Sequence, residues 1–131
     1  MTCDYYLEQA KSNEQAARSL EQTYPDWAIT ICFYAALHWV EYYACITECN
    51  IELKYPWPSR HNSRKDYVRD LANQLGNRSL RNAYIELEGE SRKARYLQDI
   101  TTNAKLYYTK NKFRVTQSFQ NLQKIKQVLG S

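Results

Sequence analysis

Cleaving a phosphodiester without a metal needs a general base for the 2′-hydroxyl proton and a general acid for the leaving oxygen. It also needs cations for the charge that develops on the phosphoryl group. The chain carries candidates for each part. It has two histidines, His38 and His61, which could serve as base and acid, and Arg64, Arg92 and Arg95, which could supply the cations. Glu41 follows His38 by one helical turn and could orient its imidazole. Tyr34 and Tyr96 could hydrogen-bond to a nucleobase or stack on it. The same residues support two quieter readings. An internal histidine needs hydrogen-bond partners, and an Arg–Glu pair between two helices would provide them within a structural network. An anion or nucleotide site would use the cations and rings with no reaction at all. The candidate binding residues are thus Tyr34, His38, Glu41, His61, Arg64, Arg92, Arg95 and Tyr96, and the candidates for catalysis are His38, His61 and Arg64.

Other chemistries are poorly supplied. A structural zinc site needs four ligands at suitable spacing, which two separated histidines and the pair Cys45 and Cys49 do not provide. There is no Gly-rich phosphate loop, no Gly-x-Ser-x-Gly turn and no Glu-x-x-His repeat for a di-metal bundle. No metal and no cofactor are expected.

The element that must position these groups is the stretch 24–49, YPDWAITICFYAALHWVEYYACITEC. Pro25 suits a first helical turn, the charge of Asp26 suits a helix N-terminus, and neither Gly nor Pro interrupts the run before Pro56. The pattern predicts a helix over about 25–48, apolar on nearly every side, which belongs in the middle of a bundle or in a membrane. Thr30, Tyr34, His38, Glu41 and Cys45 are spaced to fall on one polar stripe at roughly 100° per residue. His38 and Glu41 argue against a membrane span, because charge in the bilayer centre is costly.

Four more helices are expected around it, over about 4–22, 63–75, 80–97 and 112–129, each with an apolar stripe and a charged outer face. Ser63, three residues before Asp66, resembles a capping box, Ser79 is the expected cap of the next helix, and Gly76 and Gly130 are natural stops. Gly89 inside a helix costs about 1 kcal/mol against Ala, so close packing or a kink is expected there. The stretch 48–62 reads as a loop held extended by Pro56 and Pro58, with Trp57 either clipping it to the bundle or forming a tip for a partner. Residues 98–111 read as polar and irregular. No segment alternates apolar and polar residues long enough for a strand. The expectation is an all-α antiparallel bundle of four to five helices with a central buried helix at 25–48, forming one domain over 1–131.

Composition agrees with that class: 131 residues suit one domain, and three Gly and three Pro leave little turn chemistry. Charge is uneven along the chain. Residues 1–53 hold eight acids against Lys11 and Arg18, residues 54–99 hold ten bases against six acids, and six bases with no acid follow Asp99. Such polarity fits self-association into a homodimer, a basic face toward an anion such as RNA, or a merely solvated surface. The twelve tyrosines suit a core rim or an interface. Cys3, Cys32, Cys45 and Cys49 are read as buried or partly buried thiols of a reducing compartment. With an acidic N-terminus that lacks a signal-peptide core, this leads to an expected cytoplasmic location and no membrane partner.

Three segments together resemble the HEPN superfamily of small helical nucleotide-binding domains: DWAITICFYAALHWVEYY at 26–43, His61 to Arg64, and SRKARY at 91–96. Tyr34, Ala35 and His38 stand at the matching places of that family's helix pattern. The resemblance covers about 5–128. It implies a helical bundle that commonly dimerises and a role around RNA, as a metal-independent endoribonuclease, a toxin of a toxin–antitoxin pair, or a non-catalytic partner protein. Ribonuclease members carry Arg-x4–6-His, which this chain lacks; Arg60 precedes His61 directly and Arg64 follows it. The leading expectation is therefore a non-catalytic module that associates with RNA, a nucleotide or a protein partner, with His38, Glu41 and Arg95 in one polar cluster sealed inside the bundle or at a dimer seam. The alternative is an atypical ribonuclease, in which His38, His61 and Arg64 would open together onto a basic cleft.

Overall fold

A computed structural model describes residues 2–130, and within them the chain is all-helical. It forms α1 (Asp4–Leu20), α2 (Pro25–Ile46), α3 (Ile51–Lys54), α4 (Arg60–Leu75), α5 (Arg78–Tyr96), α6 (Ala104–Lys110) and α7 (Lys112–Leu129). The centre is α2, which packs on α1, α5, α6 and α7, while α4 packs on α5 and α3. Its burial explains why it must be central. Ala28, Ile29, Cys32, Phe33, Ala35, Ala36, Trp39, Val40 and Ala44 are all buried, and at roughly 100° per residue they cover about half of the helix surface. In length and composition α2 is apolar enough to cross a membrane, and here 56 % of that apolar stretch is buried inside the protein. Against it α1 turns in Ala10 and Ala17, two turns apart and fully buried, small enough for the two helices to approach closely.

The ends of the long helices follow local chemistry. Pro25 opens α2 at its first turn, and beyond Ile46 the amide of Cys49 closes on Ala44 O at 2.8 Å. Gly76 ends α4 at φ 60°, a left-handed conformation that costs a residue without Cβ little.

Several expected boundaries move. The helix expected at 63–75 begins at Arg60, because the extended Pro56–Pro58 segment ends at Ser59, whose φ of −100° and ψ of 125° are the last non-helical values. Ser63 is therefore not a cap. It lies buried one turn inside α4, where its hydroxyl donates to Tyr55 O at 2.6 Å. Asn77, not Ser79, caps α5, its side chain accepting from the Leu80 amide at 3.2 Å.

Two short helices replace expected loops. Asn50 caps α3, and Asn103 caps α6 by accepting from the Leu106 amide at 2.9 Å. In α6 Tyr108 is fully buried and its hydroxyl donates to a Glu90 carboxylate oxygen at 2.7 Å. Burial is the first cause that raises this phenol above its usual range, and the Glu90 hydrogen bond adds to it. Trp57 is half-exposed and donates its indole N–H to Asp66, so it clips the proline segment to α4 while leaving one face free.

Gly89 needs neither of the explanations its position suggested. A Cβ placed there meets no atom within 4 Å, and α5 runs unbroken through it.

The reading of four thiols is also corrected. Cys3 and Cys45 form a disulfide, with Cα atoms 5.9 Å apart, because the antiparallel α1–α2 hairpin brings the start of one helix beside the end of the other. Cys32 is a buried free thiol, raised above its usual range by burial, and Cys49 is a partly buried one. With one pair oxidised, the reduced-thiol argument for a cytoplasmic location no longer applies.

Candidate anion-binding site

Starting α4 at Arg60 places His61 and Arg64 one turn apart on a helix, facing the last turns of α5. There they border a groove of about 750 Å³ whose polar lining is Tyr34, His61, Arg64, Arg92, Arg95, Tyr96 and Gln98, over a floor that includes Phe33 and Leu37. That size lies in the range of small-molecule sites. Six of the eight sequence candidates thus meet in one place. No carboxylate lines the groove; the two that organise it, Glu41 and Glu88, stand behind it.

Each cation is held in a specific way. The Arg64 Nε–H donates to Glu41 Oε1 at 2.7 Å, an ion pair in which both side chains are largely buried. Arg60, exposed, reaches the same oxygen at 3.8 Å and Glu52 at 2.8 Å. On the other side Glu88, 4 % exposed, gathers His61 Nε2 at 2.7 Å, Arg92 at 2.9 Å and Lys65 at 3.6 Å around Oε1. His61 Nε2 also lies 3.1 Å from the Arg92 guanidinium, which can only donate. The arrangement is therefore two donors converging on one carboxylate oxygen. The His61 ring stands edge-on to Phe33, with ring centres 6.1 Å apart.

Arg95 sits between the two tyrosines of the groove. Its guanidinium lies 5.0 Å from the Tyr96 ring centre and 5.7 Å from that of Tyr34, and it donates to the Tyr34 hydroxyl at 3.2 Å. These are cation–π distances. Tyr96 is 70 % exposed and Tyr34 is 37 % exposed, so both offer ring surface to a ligand. Chemically, the groove presents cations for a phosphate beside flat rings for a base.

His38 and Glu41 are not where the sequence placed them. The expected His38–Glu41–Arg95 cluster does not form. His38 lies outside the groove, with Nδ1 2.7 Å from Tyr34 O; because a carbonyl only accepts, Nδ1 carries the proton, and the Asn13 amide is 3.3 Å away. Glu41 points to α4 instead of orienting His38. The stripe along α2 is thus divided among separate tasks: Thr30 bonds its own helix at Asp26 O, Tyr34 joins the groove, Glu41 anchors α4, and Cys45 joins the disulfide.

The residue that sequence reasoning missed is Glu88. It was legible in principle: a carboxylate beside the inward residues Tyr84, Leu87 and Ser91, and four positions before Arg92, is an acid placed to be buried with a partner. Among the described residues no group of three or more His, Cys, Asp or Glu side chains is placed to hold a metal ion.

Set against protein-family models, characterised proteins and solved structures, the chain matches none of them.

Proposed function

We propose that this chain is a HEPN-like binding module that seats a nucleotide or RNA phosphate in the α2–α4–α5 groove and does no chemistry on it. The observation that carries this reading is a groove lined by three arginines, a histidine and two exposed tyrosines, with no carboxylate in its lining. An anion there meets guanidinium groups already fixed by Glu41, Glu88 and the tyrosines, so little ordering remains to be done on binding. A base stacked on Tyr34 or Tyr96 would add roughly 1–3 kcal/mol.

The ribonuclease alternative draws on one specific feature, the His61–Glu88 hydrogen bond at 2.7 Å, which would orient an imidazole as a base. It lacks its second partner, because His38 does not line the groove.

Both readings are tested by one set of experiments. Uridine monophosphate and a short RNA should bind the wild-type protein in low salt, and the double variant Arg92→Ala/Arg95→Ala should lose about tenfold or more in affinity. Labelled RNA should stay intact over the same incubation. Absence of binding by the wild-type protein would reject the module, and cleavage that disappears in His61→Ala would replace it with the enzyme.

A further inference from the structure

A second cavity lies on the same hairpin. It has a volume of about 680 Å³ and sits at the α4–α5 turn, where Arg69, Arg78 and Arg81 surround it with Asn73, Asn77 and Asn82. Like the groove, it has no carboxylate in its lining. Arg69 is committed to Asp66 and Asp70, at 3.2 and 3.3 Å. Arg78 and Arg81 are exposed and hold no carboxylate among the described residues. Two guanidinium groups one turn apart repel each other, which favours an anion between them.

The two cavities share a face. Along α5, Arg78, Arg81, Arg92 and Arg95 fall within about 100° of one another at 3.6 residues per turn. Along α4, His61 and Arg64 line the groove and Arg69 lines the cavity at the turn, while Lys65 reaches Glu88 of α5. Neither cavity is lined by a carboxylate, and Glu88, which falls within the same arc of α5, is already engaged with His61, Arg92 and Lys65. With a rise of 1.5 Å per residue, Arg78 and Arg95 stand about 25 Å apart along the helix. No single nucleotide spans that distance, whereas a phosphodiester chain does.

We propose that the cavity at the α4–α5 turn is a second phosphate subsite, and that the ligand is a single strand of nucleic acid laid along the hairpin from the groove to the turn. This inference rests on the nucleotide reading of the groove and adds the class of ligand. Phosphates contact Arg92 and Arg95 at one end and Arg78 and Arg81 at the other, while Tyr34 and Tyr96 take a base at the groove end only.

The test compares uridine monophosphate with single strands of about twelve residues, oligouridylate and oligodeoxythymidylate in parallel, a length within the usual span of single-strand sites. The two arms tell RNA from DNA. The variant is Arg78→Glu/Arg81→Glu, whose side chains are exposed and outside the groove. Expected is a wild-type preference for a strand over the mononucleotide, lost about tenfold or more in the variant in at least one arm, with a salt slope shallower by about 1 or more. Mononucleotide affinity should stay unchanged. If the variant binds strands as the wild type does, the second subsite is wrong and the groove reading stands. If the wild type binds neither mononucleotide nor strand, the groove reading fails and takes this inference with it. If polyglutamate competes as well as either strand, the face belongs to an acidic polypeptide and the proposal is overturned.

Discussion

Glu41 and Glu88 make the groove by staying out of it. Each is buried, each holds cations that face the opening, and together they fix the positions of Arg64, His61 and Arg92 from behind. A buried carboxylate paired this way is hard to remove, because its partner is left desolvated without a counter-charge. Glu41→Gln keeps the side-chain shape while deleting the charge, and should cost about 1–3 kcal/mol in urea denaturation through the Arg64 pair. An unchanged midpoint would mean that the pair is incidental to the position of α4. His38 belongs to a different setting: its Nδ1 proton is tied to the preceding turn of α2, so its task is local.

At the scale of elements, α4 decides the site. Its early start at Arg60 turns His61 from a loop residue into a neighbour of Arg64 on a helix face, and this was the step that sequence reading placed three residues late. The long helices were legible because their apolar periods are unambiguous; α2 in particular announces itself by the length of its apolar run. The short α3 and α6 were not, since four and seven residues give too little period to read, and their Asn caps occur as often in turns. The candidate residues were legible by type, but their pairing was not. Glu41 is one turn from His38 on α2, yet it bonds a residue 23 positions away on α4, a choice made by tertiary packing. Gly89 gives a clean test of helix propensity, since a methyl group there meets no atom within 4 Å. Gly89→Ala should raise stability by roughly 0.5–1 kcal/mol with no change in ligand affinity. A loss of stability would show that α5 is bent at that point in solution.

Across the whole molecule, the uneven charge of the chain is partly satisfied within the fold. Glu14 of the acidic α1 pairs with Lys126 of the basic α7 at 2.8 Å and with Arg18 at 3.2 Å, and accepts a hydrogen bond from Gln123 at 3.0 Å. Burial, the largest influence, pushes its carboxyl up, but Lys126 and Arg18 together outweigh it and hold the group below its usual value of 4.5. A depressed folded value stabilises the fold fully above the unfolded value and loses that contribution as pH falls through the folded one. Glu14→Gln should therefore melt below the wild type at neutral pH, with the gap closing as pH falls below the usual carboxylate value of 4.5. A gap that is constant with pH would mean that the side chain acts by packing alone.

The central claim is that a nucleotide seats among Arg64, Arg92, Arg95 and the two tyrosines, and a titration of the labelled protein with uridine monophosphate followed by amide NMR tests it most directly. Saturable shifts should appear at Tyr34, at His61 and across 92–96, with the Asn13 and His38 surroundings still. Shifts confined to another surface, or none in low salt, would contradict it.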